Sequence, residues 1–341
     1  MKAARRVLLL GAGRIGQVHA KALSQATGGV MIGVHDADAA RAGDLAREYG
    51  SVPIADPDDA LASGAVDAVV IGTSSDSHLD FVGRAARHGV HVFCEKPLAL
   101  NVAGIEAAIA VCRQHGVALQ VGLNRRFDPN ALEIAGAVRA GRIGRPLSMR
   151  VTSRDPAPPS REFVRRSGGL FHDMSIHDFD LCRFILGDEV VEVMTMGSCL
   201  IDPMFAEEGD ADVATICLRF GSGALGVVET TRATGYGYDQ RIEVLGRDGA
   251  LESENLTAHR VMLRNGRGQS APLPLPFFLE RYEIAFGRQM QSFIDALGAD
   301  DPAGAIAVSG VDALLAHRIC DAAAQSWRER RLIVLQPAAG G

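Results

Sequence analysis

Short apolar runs alternate with amphipathic stretches along the first third of the chain. Runs of strand length stand at Val7–Leu10, Val30–Val34, Val66–Ile71, Val90–Phe93 and Val117–Val121. Between most of them the apolar positions recur with a helical period, over Ile15–Ser24, Ala39–Tyr49, Leu79–His88 and Ala103–His115. Strands that are apolar throughout are buried on both faces, and their alternation with helices predicts a parallel, doubly wound α/β sheet. Val52–Ala60 predicts only a small strand and a turn.

The pattern changes near Asn124. A helix is expected over Asn130–Ala140, a strand over Leu147–Thr152, a loop at Asp155-Pro-Ala-Pro-Pro, and a helix from about Met174 to Leu186. Longer strands that alternate apolar and polar positions follow at Val190–Leu200, Val213–Phe220, Ala224–Thr231, Arg241–Leu245 and Ala250–Glu254, joined by turn signals such as Gly221-Ser-Gly223 and Arg247-Asp-Gly249. Leu279–Leu297 and Val311–Arg328 read as closing helices, and the final Ala-Ala-Gly-Gly as a frayed end. The expectation is an α/β domain over residues 1–123 and an α+β domain over 124–341, the second built on a large open, mostly antiparallel sheet.

Composition narrows the class. A chain of 341 residues suggests two domains at about 150 residues each. A net charge of −6 and only 5% aromatic residues argue against a nucleic-acid binder. No apolar run approaches the roughly 18 residues that span a bilayer. The N-terminal Met-Lys-Ala-Ala-Arg-Arg-Val-Leu-Leu-Leu runs into a glycine turn, so it reads as a buried strand and not as a signal peptide. The six cysteines are scattered without a C-x-x-C pair, which fits reduced thiols in the cytoplasm. Of 35 basic residues only Lys2, Lys21 and Lys96 are lysines. A lone lysine deep in the chain can supply a titratable amine, which arginine cannot.

Three motifs carry chemistry. Gly11-Ala-Gly13-Arg14-Ile15-Gly16 follows an apolar strand and opens a helix, and Asp36 ends the next strand 20 residues after Gly16. This is the dinucleotide fingerprint: glycines for a tight turn, a helix N-terminus for the pyrophosphate, and a carboxylate for the ribose hydroxyls. A carboxylate at Asp36, with no arginine before Arg41, favours NAD over NADP. A plain glycine turn with a surface aspartate is the alternative. Glu95-Lys96-Pro97 follows another strand of the parallel sheet, where ligands bind beyond the carboxyl ends, and Pro97 suggests a cis bond. The alternative is a surface lysine at a strand end.

The third motif is Ser167-Gly-Gly-Leu-Phe-His-Asp173-Met-Ser-Ile-His177-Asp-Phe-Asp180. On a helix, Asp173 and His177 share a face, so the carboxylate can orient an imidazole base. A purely structural pair is the competing reading. A metal site of His172, Asp173, His177 and Asp178 is disfavoured, because residues five apart point roughly 140° apart on a helix; no metal is expected. There is no G-x-S-x-G nucleophile elbow and no P-loop.

In this order the glycine turn, Glu95-Lys96-Pro97 and Asp173…His177 resemble the Gfo/Idh/MocA oxidoreductase family over nearly the whole chain. Gly122-Leu-Asn-Arg-Arg-Phe-Asp-Pro129, Thr152-Ser-Arg-Asp-Pro156 and Tyr236-Gly-Tyr-Asp-Gln-Arg-Ile-Glu-Val244 look like its inositol dehydrogenase branch. The resemblance implies an N-terminal Rossmann domain, a C-terminal α+β domain, and NAD-dependent oxidation of a cyclic polyol, myo-inositol to scyllo-inosose. It implies Lys96, Asp173 and His177 as catalytic residues, with His177 the base. It implies cofactor contacts from Gly11, Gly13, Arg14, Ile15, Gly16, Asp36, Thr73, His78, Glu95 and Lys96. Substrate contacts are implied from Arg126, Ser153, Asp155, Asp173, His177 and Tyr236, with Tyr238 competing for the last role. A homotetramer is also implied. Another inositol isomer, a pyranose sugar, an NAD-dependent glycosidase and a non-catalytic NAD-binding regulator stand as alternatives.

Overall fold

The computed structural model describes residues 4–336. Two compact units divide the chain: Met1–Phe127 with Ile284–Leu314, and Asp128–Glu283 with Leu315–Gly341. The final Ala-Ala-Gly-Gly, expected to fray, lies outside the described residues.

In the first unit strands and helices alternate as β1 (Arg5–Leu10), α1 (Arg14–Gln25), β2 (Gly29–His35), α2 (Ala39–Glu48), β3 (Val52–Pro53), α3 (Pro57–Ala62), β4 (Ala68–Ile71), α4 (His78–Arg87), β5 (His91–Cys94), α5 (Val102–Gln114) and β6 (Leu119–Val121). The six strands form one sheet in the order β3-β2-β1-β4-β5-β6, every pair parallel. Burial explains the all-apolar runs: Val7–Leu10 and Ala68–Ile71 are essentially inaccessible to solvent. The strand order reverses between β1 and β4, the switch point at which such sheets bind ligands. Helix α3 stands where only a turn was expected within Val52–Ala60; Asp56 caps it and Pro57 opens it.

The segment read as one helix over Leu279–Leu297 is interrupted at Tyr282, giving α10 (Phe278–Arg281) and α11 (Glu283–Ala296). Met290, Phe293, Ile294 and Leu297 join the core of the first unit, beside Val7, Leu9, Val34, Val70 and Phe93. Phe93 and Phe293 meet edge to face at 5.7 Å between centroids, worth about 0.5–1.5 kcal/mol beyond the area they bury.

The second unit contains α6 (Pro129–Arg139), β7 (Pro146–Arg154), α7 (Arg161–Ser167), α8 (Ile176–Leu186), β8 (Val190–Ser198), α9 (Pro203–Glu207), β9 (Val213–Phe220), β10 (Leu225–Thr231), β11 (Asp239–Gly246) and β12 (Ala250–Ser253). An exposed hairpin, β13 (Leu263–Asn265) with β14 (Gly268–Ser270), and a last strand β15 (Ile333–Val334) complete its strands. The long helix α12 spans Gly310–Glu329. The main sheet runs β12-β11-β7-β10-β9-β8-β15, antiparallel except for the parallel central pair β7–β10. Its strands alternate buried and exposed residues, as in Val213–Phe220, so one face is packed and the other open. Helix α8 packs on β7 and β10 and against α6.

Candidate active site

In the first unit, functional groups collect at the carboxyl ends of β1, β2, β4 and β5. Gly11 takes φ +100°, and a Cβ there would stand 2.5 Å from the Gly72 carbonyl oxygen. A Cβ on Gly16 would stand 2.0 Å from the Gly11 carbonyl oxygen, so both positions need glycine for close backbone approach. Gly13 differs, since a Cβ there would meet nothing within 4 Å. Gly13 is also the N-cap of α1, and no side chain caps that helix. The uncapped N–H groups and the open space before them fit a dinucleotide pyrophosphate. Arg14 and Ile15 form the first turn of α1.

Asp36 ties the turn to β2. Its Oδ2 accepts from Ala12 N at 2.7 Å and its Oδ1 from Asp38 N at 2.8 Å. Arg41, the first arginine after Asp36, brings Nη2 to 3.1 Å from Asp36 Oδ1 and Nε to 3.2 Å from Asp38. Beyond β4, Thr73 Oγ1 lies 2.7 Å from Ser77 Oγ. His78 is buried, with Nδ1 2.8 Å from the Pro97 carbonyl oxygen and Nε2 3.2 Å from that of Thr73. Its ring therefore joins the loops that follow β4 and β5.

Lys96 follows β5, half-buried, and the Lys96–Pro97 bond is cis. Glu95 is buried; its Oε1 lies 2.7 Å from His19 Nε2 on α1, and its Oε2 accepts from Lys96 N at 3.1 Å. A Cβ on Gly122 would come within 2.7 Å of that carboxylate, so glycine leaves it room. Arg126 stands in a 3-10 turn, Asn124–Phe127, and donates from Nη2 to Asp312 Oδ1 at 2.8 Å. Burial would raise Asp312, but Arg126 and Ser309 outweigh it and hold the carboxyl below its ordinary range.

In the second unit, Gly168 and Gly169 both take φ +80° and lead into a π-helical turn, Phe171–Ser175, that runs directly into α8. A Cβ on Gly169 would meet Asp210 Oδ1 at 2.7 Å. Glycine there lets the Asp210 carboxylate accept from Leu170 N at 3.0 and 3.1 Å and brace the turn. Asp173 and His177 thus stand four residues apart on one continuous helical stretch, both half-buried, although its first turn is π and not α. Such turns frequently mark functional sites. Asp173 Oδ2 accepts from Arg232 Nη1 at 2.7 Å. Of the residues weighed as metal ligands, His172 alone joins a group that could hold an ion among the described residues, and its companions are His317 and Asp321.

Ser153 is buried at the end of β7, where its Oγ donates to Gln240 Oε1 at 3.2 Å. Asp155 is half-buried just beyond, its N donating to the Thr231 carbonyl oxygen at 3.0 Å. Tyr236 is 37% exposed; its hydroxyl donates to Asp239 Oδ2 and accepts from Arg154 Nη1, both at 2.6 Å. Burial and the bond to Asp239 push that phenol up. Tyr238 is buried edge-on to Phe277 and Tyr282.

The chain matches, over residues 5–123, an oxidoreductase family with an NAD-binding Rossmann fold, and over 131–252 the GFO/IDH/MocA C-terminal domain. It belongs to the Gfo/Idh/MocA oxidoreductase family. It is 40% identical to a myo-inositol 2-dehydrogenase of Thermotoga maritima, over 98% of this chain and 100% of that one. A crystal structure of a putative myo-inositol dehydrogenase from Sinorhizobium meliloti is similar, with TM-score 0.93, 41% identity, and coverage of 98% of this chain and 100% of that one. The scyllo-inositol dehydrogenase of Lactobacillus casei, solved with bound NAD(H) and scyllo-inositol, matches at TM-score 0.88 and 27% identity, over 97% of this chain and 99% of that one.

Three residues of this Gfo/Idh/MocA protein escaped the sequence reading. His19 lies one turn beyond Gly16 on the buried face of α1, a placement that helical spacing could have suggested. Asp210 and Arg232 gave no local signal: one stands in a loop, the other just after a strand, and their partners are about 40 and 59 residues away. No helix is long and apolar enough to cross a membrane among the described residues.

Proposed function

We propose that this protein oxidises one ring hydroxyl of a cyclic polyol, myo-inositol before others, to the ketone scyllo-inosose, with NAD as acceptor. One observation carries the reading. A chain with end-to-end likeness to inositol dehydrogenases also keeps a lysine just beyond β5 and the Asp173–His177 pair on one helical stretch. NAD, when bound, would supply the acceptor for the carbinol hydrogen and its electron pair. The chain supplies the rest. His177, oriented by Asp173, accepts the hydroxyl proton, and the Lys96 ammonium offsets the charge that develops on that oxygen. Gly11, Gly13, Arg14, Ile15 and Gly16 hold the pyrophosphate and Asp36 the adenosine ribose. Thr73, His78 and Glu95 shape the loops around the cofactor. Arg126, Ser153, Asp155 and Tyr236 hold the remaining hydroxyls; Tyr236 takes the tyrosine role because Tyr238 is enclosed by rings.

The active form is a homotetramer in the cytoplasm. Supporting this, Met194, Cys217 and Val227 are cross-strand neighbours in the main sheet. Met196 and Leu225 on the same strands are 74% and 48% exposed. The six cysteines are all free thiols.

The test is NADH absorbance with purified protein, NAD and a panel of myo-, scyllo- and chiro-inositol, glucose and a nitrophenyl glycoside. The fastest NADH growth is expected with myo-inositol. A faster rate with another polyol would discard the inositol assignment. Nitrophenol release without NADH would discard the oxidation itself. His177→Ala should lower kcat by roughly 10²–10⁴ while NAD still binds.

A further inference from the structure

We infer that Arg232 is a positioning residue for the reaction, holding the Asp173 carboxylate ionised and aimed so that His177 can act as a base. This rests on the roles proposed above for Asp173 and His177. Arg232 follows β10, and its backbone N–H donates to the Asp212 carbonyl oxygen at 2.8 Å, which fixes where the side chain starts. The side chain is 1% exposed, and Nη1 donates to Asp173 Oδ2 at 2.7 Å. Nε and Nη2 are buried with no acceptor among the described residues.

A guanidinium stripped of water with two nitrogens unpaired is a poor device for stability; an apolar side chain of similar volume would serve the core as well or better. The placement does something an apolar side chain cannot. It puts a charge that never titrates against the carboxylate beside the base. Other charged groups stand near the pair, including the buried Asp178 beside His177. Asp210 braces the π turn from the loop before β9, and burial pushes its carboxyl up, toward the neutral form. Asp212 spends its carboxylate on the N–H groups of Leu200, Ile201 and Asp202. His172 and His177 flank Asp173 along its own helical stretch. Arg232 therefore stands near two carboxylates and makes its direct bond to Asp173.

The experiment compares Arg232→Met, Arg232→Gln, Arg232→Lys and Asp173→Asn with the wild type, reading kcat, KM for myo-inositol, NAD affinity and the pH profile. Removing the cation makes Asp173 easier to protonate and the His177 imidazolium harder to deprotonate. Both effects move the acidic limb of the kcat/KM profile to higher pH, by about 1–3 units. The neutral variants should show that shift and at least a tenfold loss of kcat at neutral pH, with NAD affinity unchanged. Arg232→Lys keeps the charge, so its limb should stay near that of the wild type while kcat falls. A folded Arg232→Met or Arg232→Gln with the wild-type limb overturns the inference. If neither neutral variant folds, Arg232→Lys decides: kcat reduced tenfold at unchanged KM supports positioning, and wild-type kcat overturns it. If Asp173→Asn itself keeps wild-type kcat and profile, the role of Asp173 is what fails.

Discussion

Two alanine substitutions in the glycine turn should separate its structural from its ligand-binding demand. At Gly16 the new methyl would stand 2.0 Å from the Gly11 carbonyl oxygen, where ordinary contact begins at 3.4 Å. Backbone faces backbone there, so neither side can yield cheaply. Overpacking of this kind costs about 3 kcal/mol, and the better helix propensity of alanine returns about 1. The net loss is about 2 kcal/mol, or roughly 4–8 °C in Tm for a unit of this size. At Gly13 the backbone sits at φ −71° and ψ −168°, open to any residue, and the methyl meets nothing within 4 Å. Stability should change by less than about 1 kcal/mol, the cost of alanine at an N-cap. The methyl would instead fill space assigned above to the pyrophosphate. Losing one or two charged hydrogen bonds there, at about 1.5–3 kcal/mol each, weakens NAD roughly 100-fold. Thermal melts without ligand and calorimetric titration with NAD read the two effects separately. A Gly13→Ala protein that binds NAD within threefold of the wild type, or a Gly16→Ala protein with an unchanged melt, would refute the reasoning.

Asp36→Ala should weaken NAD far more than NADP, because it also frees Arg41 to meet a 2′-phosphate; equal losses in the two titrations would remove Asp36 from the ribose. Asp128 both caps α6 and pairs with the buried Arg281, so Asp128→Ala leaves an uncompensated buried cation and should lose about 3–5 kcal/mol in denaturant unfolding. Burial, with the neighbouring His172, lowers His317 to about 4, so between pH 6.5 and about 4 the unfolded chain takes up a proton that the folded chain refuses. The stability contributed by the neutral ring is complete above pH 6.5 and falls by about 3 kcal/mol across that window; His317→Asn should flatten the Tm profile there.

What could be read from the chain follows from where the determinants lie. The strands of the first sheet announce themselves because both faces are buried, which leaves Val7–Leu10 and Ala68–Ile71 no polar position. Lys96 and the glycine turn are legible because each candidate group sits in contiguous residues at a strand end. Asp173 and His177 are legible because one helical turn brings them together. The π turn beneath them is not, since nothing in Phe171–Ser175 distinguishes it from ordinary helix. Arg232 could not be assigned to Asp173, because the packing of the π turn on β10 brings the two together and an apolar pattern does not encode which buried cation meets which acid. The packing of α11 on the first sheet is hidden for the same reason: an apolar stripe says that a helix is covered, not by what. Tyr236 and Tyr238 look alike in sequence, and burial separates them.

The parallel pairing of β7 with β10 has a consequence for how the second unit assembles. All other neighbours in that sheet are antiparallel, and two pairs, β9–β10 and β11–β12, are joined by short turns. This central pair instead requires residues 155–224 to be spanned first. Those 70 intervening residues include the π turn that carries Asp173 and the helix α8 that carries His177. Loop-closure entropy must be met before the pairing returns any hydrogen bonds, so such contacts form slowly. Amides of β9 and β10, joined by a tight turn, should gain protection early in pulse-labelled refolding, and those of β7 late. The surroundings of Asp173 and His177 are then among the last things the chain completes, and a half-folded second unit would hold its helices before it holds this pair in place.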